Sequence, residues 1–102
     1  MSQKIDSHHN AKLLSEVVSS LAHAVSGATS ASVSYEVSTI LREVTEQMLL
    51  PPEQRQLTAV LEKLNQPEIL RAANSGRLPL DFARIRKLQD EFRLDESADN
   101  AG

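Results

Sequence analysis

Leu13-Leu14-Ser15-Glu16-Val17-Val18-Ser19-Ser20-Leu21-Ala22-His23-Ala24-Val25 is the stretch that decides the fold class. Leu13, Leu14, Val17, Val18, Leu21 and Val25 recur at steps of three and four, the spacing that puts residues on one face of a helix. The periodicity predicts a helix from about Ser7 or Asn10 to Ser26. Gly27 is placed to close it in the left-handed conformation, and the small residues Ala28 to Ala31 form the first connection.

The same period returns downstream. Val33, Val37, Ile40, Leu41, Val44, Met48 and Leu49 form a second stripe, with Ser32 or Ser34 as the candidate N-cap and Glu36 in the first turn, where a carboxylate complements the helix dipole. Two amphipathic helices on a short linker predict an antiparallel hairpin. Pro51-Pro52 must interrupt the second helix, because proline lacks a backbone donor and disfavours helical geometry in the residue before it. Pro52 and Glu53 can then start a third helix that buries Leu57, Val60, Leu61 and Leu64 and ends at Asn65. Pro67-Glu68 repeats that start signal for a short fourth helix closed at Gly76. Leu78-Pro79-Leu80 reads as an extended connector, and Asp81 as the N-cap of a fifth helix carrying Phe82, Ile85, Leu88 and Phe92 on one face.

The expected fold is therefore all-α: a small helical bundle with an N-terminal two-helix hairpin followed by three shorter helices. At 102 residues the chain has room for one domain, assigned to residues 1–94 with 1–7 frayed. Asp95 to Gly102 is acidic with little to bury and is expected to be a disordered tail. Only Tyr35, Phe82 and Phe92 supply aromatic rings, so the core must come from Leu, Val, Ile and Ala. A core this thin favours added buried area from a partner, either another protein or a second copy of the chain in an oligomer.

Composition excludes several function classes. There is no cysteine, and hence no disulfide framework, zinc-thiolate site or thiol nucleophile. The first ten residues lack the apolar core of a secretory signal, and no apolar run approaches the roughly 18 residues of a membrane span, so the expected location is the cytoplasm with no membrane partner. No Gly-x-Ser-x-Gly turn or glycine-rich phosphate loop is present. His8, His9, Glu16 and His23 lack the spacing of metal ligands on one helix face, and His23 reads instead as a partly buried histidine on the flank of the first stripe. Glu43 with Glu46 and Asp90 with Glu91 belong to solvated helix faces. No catalytic residue, metal or cofactor is expected, and the chain is read as a non-enzymatic regulator, adaptor or chaperone-like subunit that binds protein through an apolar helix face.

Two candidate surfaces follow from the C-terminal half. Leu78, Leu80, Phe82, Ile85, Leu88 and Phe92 form a candidate partner-binding surface. Arg71, Arg77, Arg84, Arg86 and Lys87, against Asp81 alone, give a local balance of +4 in a chain whose net charge is −3. That basic patch is the basis of an alternative reading as a nucleic-acid-binding protein, with Asp95, Glu96 and Asp99 able to fold back on it.

Residues 69–88 also resemble the C-terminal half of flagellar anti-sigma factors, in which a helix with Ile, Ala and a closing Gly leads through an aliphatic-Asp step into a second helix. Ile69, Ala72, Gly76, Leu80, Asp81, Ile85 and Leu88 match that outline. The resemblance implies a transcription regulator whose apolar positions contact a sigma factor. Leu78 and Arg86 depart from the family pattern, as does the strongly amphipathic N-terminal half. Ser75-Gly76-Arg77-Leu78-Pro79 is similar to the wing of excisionase-type DNA-binding domains, which implies contact with DNA.

Overall fold

The computed structural model describes the backbone of residues 7–101, and the frayed segment expected before Ser7 lies outside them. Five α-helices follow in chain order: α1 (Ser7–Gly27), α2 (Ala31–Met48), α3 (Leu57–Glu62), α4 (Pro67–Asn74) and α5 (Phe82–Ala101). Single 3₁₀ turns at Pro52–Gln54 and Lys63–Asn65 flank α3, and no strand occurs among the described residues. α1 and α2 pack as the expected hairpin, and the three later helices close its open side.

The core is aliphatic throughout. Leu13, Leu14, Val17, Leu21 and Ala24 from α1 meet Val33, Val37, Ile40 and Val44 from α2. Beneath them lie Leu57, Val60, Leu61 and Leu64, then Ile69 and Ala72, and finally Leu78, Leu80, Ile85, Leu88 and Phe92. Phe92 is the one fully buried ring. Gln89 is the single buried polar side chain among the described residues, and its amide donates to the Leu61 carbonyl at 2.9 Å. That bond ties α5 to the end of α3 and satisfies a carbonyl that the turn into 3₁₀ geometry leaves without an α-helical partner.

Local signals account for most boundaries. α4 ends as its sequence predicts. Gly76 has φ +79°, the Arg77 N–H donates to the Ala72 carbonyl at 2.9 Å, and the Gly76 N–H donates to the Ala73 carbonyl at 3.3 Å, which together form a Schellman motif. Asp81 caps α5 by accepting from the Ala83 N–H at 3.1 Å.

Four expectations need correction. The N-cap of α2 is Ser30, not Ser32 or Ser34, so α2 starts earlier and Glu36 falls beyond its first turn. The third helix is not continuous from Pro52 to Asn65, because Gln56 leaves helical geometry at φ −124°, ψ 54° while its N–H is taken by the Gln47 side chain at 2.7 Å. α5 does not stop at Leu94 but runs to Ala101, so it is no short helix. Burial does end near the expected place, Phe92 being the last buried residue described. No Pro or Gly lies between Phe82 and Ala101, and helix propagation needs only one further bond per residue once the buried turns are formed.

The fourth correction concerns Gly27. It is the last residue of α1 but does not have positive φ, and its lack of a side chain serves packing instead. A Cβ built there would sit 2.7 Å from Pro79 Cγ. The α1–α2 connector therefore lies directly on the α4–α5 connector, and the Thr29 N–H donates to the Arg77 carbonyl across the same contact at 3.0 Å. Gly27→Ala is expected to destabilise the chain by about 1–2 kcal/mol through overpacking. Combining it with Pro79→Ala should recover most of that loss, a coupling that a double-mutant cycle in urea unfolding would measure.

Candidate functional site

The C-terminal apolar surface expected from sequence is interior. Leu78, Leu80, Ile85, Leu88 and Phe92 are all buried, and Phe82 packs half-buried against them. These residues fill the space between the hairpin and α3, so in the folded chain none of the five buried ones is presented to a partner. The same holds for the apolar positions that carry the anti-sigma resemblance, since Ile69 and Ala72 are buried too, whereas Gly76 and Asp81 are exposed.

The basic residues are all exposed, but they are not brought together as one patch. Arg84 and Lys87 line an open groove of about 570 Å³ between α1 and α5, together with Lys12. Glu16, Asp81 and Glu91 line it as well, so its charges balance. Arg84 Nη2 lies 3.5 Å from Glu16 Oε1. Arg86 is two positions along α5, roughly 160° away around the helix at 3.6 residues per turn, and so points to a different face. Arg77 is held locally, donating from Nε to Ser75 Oγ at 2.9 Å. Acidic neighbours and helix geometry thus dissolve the +4 cluster that is contiguous only in sequence.

His23 is exposed rather than partly buried. No group of three His, Cys, Asp or Glu side chains able to hold a metal occurs among the described residues. No described helix is long and apolar enough to cross a membrane.

Large apolar side chains reach solvent elsewhere. Leu49 is 86% exposed and Tyr35 70%, with Leu94, Met48 and Leu50 also open. Met48 and Leu49 were expected within the buried stripe of α2. They leave it because α2 ends at Met48, and the Arg55 guanidinium holds that end by donating to the Met48 and Leu50 carbonyls at 3.2 and 3.1 Å.

Met48 and Leu49 stand at one end of a larger feature. On α1, Ala11, Ser15, Val18, Ala22 and Val25 follow one another at alternating steps of four and three, and on α2, Ser34, Ser38, Leu41, Thr45 and Met48 do the same. All ten are exposed or half-buried. The two rows adjoin. Ser34 Oγ donates to the Val25 carbonyl at 3.3 Å, while the opposite flanks are occupied by α5 at Glu16 and by the Lys63–Glu43 ion pair at 2.7 Å. The outer side of the hairpin therefore carries two parallel rows without an ionisable group, in a chain of which 25% is charged. Arg42 and Glu46 bound it on α2, and Lys12 and His23 on α1.

Three of its four hydroxyls, those of Ser34, Ser38 and Thr45, are already spent on backbone. Ser38 Oγ donates to the Tyr35 carbonyl at 2.8 Å, and Thr45 Oγ1 to the Arg42 carbonyl at 2.7 Å. Covering the face would therefore leave these donors satisfied, which removes most of the usual cost of burying hydroxyls. Val18, Val25, Leu41 and Met48 belong to the apolar stripes read from sequence but stand on their flank, whereas Ala11, Ser15, Ala22, Ser34, Ser38 and Thr45 carry no apolar signal of their own. The signal of this face was the joint absence of charge along two heptad-spaced rows.

Comparison of the chain with known protein families, curated proteins and solved structures found no match.

The burial of the C-terminal apolar residues has a direct consequence. Ile85→Asp and Leu80→Asp are each expected to cost more than about 3 kcal/mol by placing a charge in the core. Arg86→Ala, on an exposed side chain, should change stability by less than about 0.5 kcal/mol. Thermal unfolding followed by circular dichroism would separate the two classes.

Proposed function

We propose that the chain is a small non-enzymatic protein-binding subunit, acting as a regulator, adaptor or chaperone-like factor, with a cytoplasmic site of action as part of the same proposal. The binding surface is the uncharged outer face of the α1–α2 hairpin. The observation that carries this reading is the run of ten heptad-spaced positions on two adjacent helices with no ionisable group. Charged residues are depleted at the centres of protein interfaces, and a face of short side chains lets a partner helix approach closely.

The nucleic-acid alternative draws less support from the arrangement of charge. Binding a phosphate backbone needs several cations facing one way, whereas Arg84 and Lys87 share a groove with three carboxylates. An anti-sigma-like mode would require α5 to leave the hairpin, because the apolar residues that carry the resemblance are interior. Such release would expose Ile85, Leu88 and Phe92.

Ala22→Glu and Thr45→Glu test the proposal, both positions being exposed and tolerant of a longer side chain in the isolated fold. Each variant should retain the helical spectrum of the parent while losing capture of a bound protein by more than about tenfold, as expected for a charge placed at an interface centre. Arg71→Ala with Arg77→Ala should leave capture unchanged. Capture that survives both glutamates and fails in the arginine variant would transfer the function to the basic residues.

A further inference from the structure

We draw no further inference here: the strongest candidate, the exposed apolar patch that Met48, Leu49 and Leu50 form where α2 ends, carries nothing, because nothing in the structure shows what covers it.

Discussion

Everything in this structure depends on where the apolar strip from Leu78 to Phe92 is buried. The hairpin of α1 and α2 has an inner face of nine buried aliphatic side chains and nothing of its own to cover them, and α3 and α4 are too short to do so alone. Leu78, Leu80, Ile85, Leu88 and Phe92 complete the layer, and Gln89 fixes the register of α5 through the Leu61 carbonyl. The direction in which α5 sets out is determined one step earlier. Gly76 turns the chain in the left-handed region, and Pro79 is received against Gly27, where no side chain stands in its way.

This closure divides the molecule into a committed side and an open side. On the committed side, the apolar residues, the salt-bridged Arg84 and the charge-balanced groove between α1 and α5 are all engaged in holding the last helix. On the open side, among the described residues, the outer face of the hairpin has no helix over it, its two rows hold no ionisable group, and three of their four hydroxyls are bonded to backbone carbonyls. An exposed face that has been relieved of charge and of unsatisfied donors is inexpensive to desolvate. For that reason the proposed function is placed here rather than on the basic residues, whose exposure carries no such preparation.

The division between reading and structure follows the range of the forces involved. Helix class, the number of helices, the Pro67 start, the Gly76 stop and the Asp81 cap were legible because each is set by residues within a turn or two of one another. The core positions of α1 and α2 were legible from the same period, up to the last turn of α2, where Met48 and Leu49 emerge into solvent. The reading failed at Gly27, whose role depends on Pro79, more than fifty positions away. It failed again at Gln56, whose N–H is claimed by Gln47 of the preceding helix.

Sequence by itself determined that this protein is all-helical, that its core is aliphatic, and that it carries two amphipathic helices able to form a hairpin, because hydrophobic periodicity and capping act locally. Only the tertiary structure decided which of its apolar stripes is interior and which is surface. Leu80, Ile85 and Phe92 look in sequence as available to a partner as any helix face, and they are buried because the hairpin offers a complementary surface at the distance the Gly76 turn allows. Val25 and Leu41 read in sequence as part of the core stripes and Ala22 and Ser38 as ordinary surface, and together they become one continuous uncharged face because α1 and α2 lie side by side. Burial depends on what lies opposite a residue, and that is a property of distant segments brought together rather than of the segment that contains it.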